Sequence, residues 1–107
     1  MEVYGNTMEN FPSSKKIEEC TEIINTYANG MEFYSDIKMS NGTRVVNCIF
    51  EKFSFRNTNF MTIYMNMVSE DDKTKVFFTI KERQEGFLTF SLGKKKKLTE
   101  EIKRLLI

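Results

Sequence analysis

From Met31 onward the chain changes period. Met31, Phe33, Ile37 and Met39 alternate with Glu32, Tyr34, Asp36 and Lys38. Only an extended strand sends successive side chains to opposite sides, so this alternation specifies a half-buried β-strand. Asn41-Gly42 follows at once, and Asn-Gly is the strongest short-range signal for a two-residue hairpin, whose central residues both need positive φ. A two-residue loop predicts Met39 opposite Arg44, Ile37 opposite Val46, Ser35 opposite Cys48 and Phe33 opposite Phe50. Apolar residues then meet on one face, which is what a buried face requires.

Three more strands are expected. Met61, Ile63, Met65 and Met67 line one side of the first, and their alternation reads as core rather than as a metal-binding or promiscuous methionine groove. The polar turn SEDDK leads to Val76, Phe78 and Ile80, and a turn ending at Gly86 leads to Leu88, Phe90 and Leu92. Helices flank the strands. Pro12, Ser13 and Ser14 form a start signal for a helix whose stripe is Ile17, Cys20, Ile24 and Tyr27, closed by Asn29-Gly30. After Gly93, Leu98, Ile102, Leu105 and Leu106 mark a second helix. Short connections imply a meander. The expected fold class is α+β: one domain over residues 1–107, an antiparallel five-stranded sheet with an N-terminal and a C-terminal helix on one face.

Composition narrows function mainly by exclusion. The chain has no histidine, which removes the commonest general base, the usual hydrolytic triads and most zinc sites. No nucleophile-base pair or phosphate loop is recognisable, so a non-enzyme is expected, with no metal and no cofactor. Cys20 and Cys48 match no metal spacing and fall at inward positions, where free thiols act as small hydrophobes; a disulfide is the alternative. No apolar run reaches the ~18 residues of a membrane span, and the N-terminus lacks a secretory pattern. A cytoplasmic protein is expected, and the wealth of Lys, Asn, Ile and Met suits an AT-rich bacterial genome.

Three features are candidate sites. The first is IFEKFSFRNTNF, residues 49–60, where Glu51 points to the side opposite Lys52 and the expected register sets it against Glu32. Arg56 is then the natural cation for the two carboxylates, and Asn57 and Asn59 suit a turn. The bland reading is a clamped strand end; the functional one is a ligand site using Glu51, Arg56 and Asn59. The second is the sheet face turned away from the helices, where the alternation places Tyr34, Val45, Ile49, Phe53, Phe60, Tyr64, Val68, Phe77 and Phe87. A solvated face normally reads as polar. The bland reading is a strand out of register, or a patch diluted by Thr62, Thr79, Thr89, Lys75 and Lys81; the functional one is a cover, either a second copy in a homodimer or a small apolar ligand, with Glu51 and Arg56 at its border. The third is the run Lys94 to Lys97, which could contact phosphates. Sixteen basic against fifteen acidic residues leave no attracting field, and Glu100 and Glu101 follow within a turn, so nucleic acid is the third reading.

The string IFEKFSFRNTNF, with KTKVFFTI and GFLTFSLG after it, resembles a family of small, mostly Gram-positive bacterial proteins of unknown function. Phe50, Glu51, Lys52, Phe53, Arg56 and Asn59 match that family's Phe-Glu-Lys-aromatic, Arg, Asn pattern in spacing. The likeness covers roughly residues 43 to 106. The chain departs from it in reading KERQEG where the family has a glycine-rich segment, and Ser91-Leu92 where the family has an acidic residue and a tryptophan. The resemblance implies no activity.

Overall fold

The computed structural model describes residues 8–54, 59–83 and 92–107. In chain order these form β1 (Glu9–Ser13), α1 (Ile17–Ala28), β2 (Phe33–Lys38), β3 (Arg44–Ser54), β4 (Asn59–Glu70), β5 (Lys73–Arg83) and α2 (Leu92–Leu106). The fold is α+β, a five-stranded antiparallel sheet in the order β1-β5-β4-β3-β2. β2 to β5 form the expected meander, and β1 closes the far edge against β5.

The fifth strand is therefore N-terminal. Leu88 and Phe90 lie outside the described residues, and Leu92, expected at the end of a strand, opens α2. Pro12 belongs to β1, not to a helix start. An edge strand has one side without ladder bonds, so the missing N–H of proline costs little there. Ser13, expected to help cap the helix, accepts a hydrogen bond from the Lys15 amide at 3.1 Å and donates to the Leu106 carbonyl. That second bond ties the end of α2 to the strand. The Lys15 ammonium adds a bond to the Ile107 carbonyl at 2.8 Å.

The β2–β3 hairpin differs from expectation by one residue, with large consequences. Its loop has three residues, Ser40 to Gly42, between Met39 and Thr43, whose backbones bond at 2.7 Å. Only Gly42 takes positive φ, at 92°, and the Asn41 side chain accepts from the Thr43 amide at 3.0 Å. A three-residue loop with its last residue left-handed is the next commonest hairpin. It pairs Phe33 with Ile49, Tyr34 with Cys48, Asp36 with Val46 and Ile37 with Val45. A one-residue slip transfers every β2 side chain to the opposite face. Phe33 and Ile37 thus join the face away from the helices, and Tyr34 moves to the helix side. The two-residue turn with positive φ at both positions occurs elsewhere, at Asp71 (49°) and Asp72 (61°) between Glu70 and Lys73.

One core lies between the sheet and both helices. Ile17, Cys20, Ile24 and Ala28 of α1 and Leu98, Ile102 and Leu106 of α2 pack on Val46, Cys48, Phe50, Met61, Ile63, Met65, Met67, Val76, Phe78 and Ile80. Phe11 of β1 joins them, edge-on to Phe78 at 6.2 Å. Alternate residues from Val46 to Phe50, Met61 to Met67 and Val76 to Ile80 contribute, so the methionines Met61, Met65 and Met67 of β4 are core. Cys20 and Cys48 are buried free thiols. Burial raises the pKa of both, that of Cys48 to about 11, which keeps them protonated and inert. Asn29 ends α1 in the left-handed conformation at φ 52°.

On the helix side of the hairpin, Arg44 clamps β2 to α1. Its guanidinium forks onto Asp36 at 2.9 and 2.5 Å and reaches Glu18 of α1 at 2.8 Å. The hydrogen bonds from Arg44 hold the Asp36 carboxyl below its ordinary range. The depressed pKa means the clamp contributes fully above about pH 4, the unfolded value, and weakens as pH falls through the folded one. Because the groups are partly exposed, Arg44→Ala is expected to cost about 1 kcal/mol at pH 7. Urea melts should show the gap between wild type and variant narrowing at pH 3; a gap independent of pH would contradict the clamp.

Candidate functional site

The face of the sheet away from the helices has no cover among the described residues. Its side chains run in rows across the strands, set by the pairing. One row is Phe33, Ile49, Tyr64 and Thr79; another is Ile37, Val45, Val68 and Lys75. Phe33, Ile37, Tyr64 and Phe60 are 49%, 52%, 42% and 40% exposed, high values for large apolar groups. Ile49, Val45, Val68 and Phe77 are half-buried by their neighbours. Between the two rows runs a polar one. Asn66 donates to the side-chain oxygen of Asn47, and Asn47 donates to the Ser35 hydroxyl at 3.4 Å. These side chains bond one another across three strands, and Phe77 ends the row on β5.

The residues singled out from the sequence are only partly brought together. Ile49, Tyr64 and Phe77 share the open face. Tyr34 does not: it stands on the helix side opposite Cys48, and its hydroxyl donates to Asp36 at 3.4 Å. Phe33 and Ile37 take the place foreseen for it. The signal that would have found them is the loop length, since a three-residue reading of Ser40-Asn41-Gly42 gives the observed faces directly. Phe53 pairs with Phe60 along the backbone. Phe87 lies outside the described residues.

Glu51 lies on the open face beside Thr62, with Lys81 beyond it in the same row. The expected opposition of Glu51 and Glu32 is absent. The Glu32 amide bonds to the Ile49 carbonyl at 2.8 Å, which brings Glu32 level with the Ile49–Phe50 step instead. Asn59 pairs with Ser54 at the start of β4, and Arg56 lies outside the described residues. Lys52, on the helix side, is anchored: its ammonium donates to the Tyr27 carbonyl and sits 3.7 Å from the centre of the Tyr27 ring. The Glu-Lys pair in the middle of the aromatic strand is thus split, one residue on each side of the sheet.

A shallow depression of about 600 Å³ opens at one end of the same face, lined by Pro12, Val68, Lys73, Lys75 and Phe77. Val68 and Thr62 are six residues apart on β4, about 20 Å. The depression therefore lies at the opposite end of the sheet from Glu51. The Lys75 ammonium stands over the Phe77 ring, 5.4 Å from its centre.

No family model, curated protein or solved structure matches this chain. What it does must be read from its surface. Among the described residues no group of three or more His, Cys, Asp and Glu is placed to hold a metal ion. No helix there is long and apolar enough to cross a membrane. Of the lysine run, Lys96 and Lys97 are exposed near the start of α2, on the helix side of the sheet, away from the apolar rows.

Proposed function

We propose that the protein is a non-catalytic interaction domain that self-associates through the open face of its sheet. The observation that carries this reading is the pair of apolar rows, in which Phe33, Ile37 and Tyr64 are each two-fifths or more exposed, on a chain that already buries a full core on the other face. Contiguous apolar surface beyond a few hundred Å² is uncommon on a monomer. Three strands of 11 or 12 residues and two edge strands of 5 or 6, about 4.8 Å apart, give a face of about 700 Å². That is the area one partner contributes to a standard protein–protein interface. A second copy offers the same rows, and twofold packing is the commonest way such a face is covered.

Light scattering is expected to give a mass of at least twice the 12.6 kDa of one chain. Tyr64→Asp places a charge at the centre of the apolar row and should lower that mass while leaving the far-ultraviolet circular dichroism unchanged. A strict monomer at millimolar concentration sinks the proposal. A small apolar ligand is the second reading, favoured by the depression beside Phe77. In that case a screen of lipids and metabolites raises the melting temperature, since a ligand bound only by the folded state stabilises it.

A further inference from the structure

We infer that two copies of this chain also join edge to edge through β2, antiparallel about a twofold axis at Ser35, forming one continuous ten-stranded sheet. This goes beyond the face contact, since the edge lies at right angles to the face and either contact stands without the other.

The two edges of the sheet are unequal. β1 carries the chain's one proline and is tied to the end of α2 through Ser13. β2 ends the sheet on the other side, and no described strand lies beyond it. The Met39–Thr43 backbone bond fixes the parity of the ladder. Phe33, Ser35 and Ile37 turn their backbone groups to β3, and Tyr34, Asp36 and Lys38 turn theirs outward. A row of outward amides and carbonyls is a template for another strand.

The side chains select the register. Backbone bonding requires residues with outward groups to face one another, so the axis falls at a whole residue from 34 to 38. An axis at Asp36 sets Asp36 against its own copy, one at Lys38 does the same for Lys38, and one at Tyr34 brings Asp36 to Glu32. Each opposes like charges, which is unfavourable. An axis at Ile37 pairs Asp36 with Lys38 but overlaps only the last part of β2. An axis at Ser35 uses nearly the whole strand. It sets Phe33 against Ile37 twice on the open face and Tyr34 against Asp36 twice on the helix side, and it brings Lys38 to the acidic start of the other β2 at Glu32. About four interchain backbone hydrogen bonds form in the strands. The rows then continue across the junction: Phe33, Ile49 and Tyr64 of one copy run into Ile37, Val45 and Val68 of the other, and the two Ser35-Asn47-Asn66 ladders meet at the axis.

At this axis Ser35 faces its counterpart in a non-hydrogen-bonded pair, with Cα atoms about 4.5 Å apart, within the range a disulfide spans. Ser35→Cys, oxidised in air with copper phenanthroline, is expected to run as a covalent dimer on non-reducing gels. Wild type, whose own thiols are buried, should not. Ile37→Cys should not either, because its counterpart lies about 13 Å away along the strand. The Tyr34→Pro/Ser35→Cys double variant removes an outward amide without touching the β3 ladder and should abolish the link. If circular dichroism shows that variant unfolded, Lys38→Glu/Ser35→Cys, which sets a second carboxylate against Glu32, should weaken the link instead. Tyr64→Asp/Ser35→Cys should cross-link as Ser35→Cys does, which separates failure of the face contact from failure of the edge. Absence of the Ser35→Cys dimer, an equal yield from Ile37→Cys, or a link that survives both edge variants overturns the inference.

Discussion

Phe50→Ala is expected to remove about 4 kcal/mol of stability, the largest single loss available on β3. Phe50 is fully buried, pairs with Ile63 of β4, and meets the Tyr27 ring edge-on, with centroids 6.2 Å apart and planes at 88°. Truncation takes away the transfer free energy of the ring and leaves a cavity between the sheet and the last turn of α1, and the aromatic pair adds about 1 kcal/mol. A domain of this size has only about 5–15 kcal/mol in total. The variant should therefore melt tens of degrees lower or fail to accumulate, whereas Phe50→Leu should lose about 1.5 kcal/mol. Denaturant melts decide the matter. A loss below about 1 kcal/mol would mean that the face chosen as core is wrong. Tyr64→Ala, one residue beyond Ile63 but on the other side of β4, should cost less than about 1 kcal/mol to the isolated chain.

That contrast shows how much of the fold is legible in the sequence. On β3, β4 and β5 the alternation alone assigns every core side chain, because a strand in the middle of a sheet has one dry face and its period admits no second reading. The open face follows from the same pattern, and Ile49, Tyr64 and Phe77 stand where it puts them. Both departures from expectation arise at the edges, where burial no longer constrains the chain. β2 is exposed on both sides, so Phe33-Tyr34-Ser35-Asp36-Ile37 fits either register, and one loop residue decides it. Asn41-Gly42 suits both a two-residue loop and the end of a three-residue one. Asp71-Asp72, a poorer signal, adopts the tight turn because the long ladder of β4 and β5 imposes it. β1 reads as a helix start because Pro12-Ser13 suits that role locally. Its true partner, β5, is some sixty residues away, and nothing local records it. The Arg44 clamp is hidden by the same slip, since Asp36 and Arg44 share a face only in the observed register.

Lys52→Met is expected to lose about 2 kcal/mol, and the reason answers what the Glu-Lys pair at 51 and 52 is for. The last carbonyls of a helix have no partner within it and carry its negative end, so a cation there is favourable. The last turn of α1 contains no basic residue of its own. Lys52, reaching up from β3, donates to the Tyr27 carbonyl and lies against the Tyr27 ring at 3.7 Å. A charged hydrogen bond contributes about 1.5–3 kcal/mol and a partly buried cation–ring contact about 1. Methionine keeps the apolar stem and deletes only the charge, so the loss reports the cap rather than packing. Tyr27→Leu in the Lys52→Met background should cost about 1 kcal/mol less than in wild type, because the ring contact is already gone. The loss should persist in about 1 M salt, which screens exposed charges much more than half-buried ones. A neutral Lys52→Met would release this lysine from its structural role. A loss of the expected size assigns Lys52 to holding α1 on the sheet.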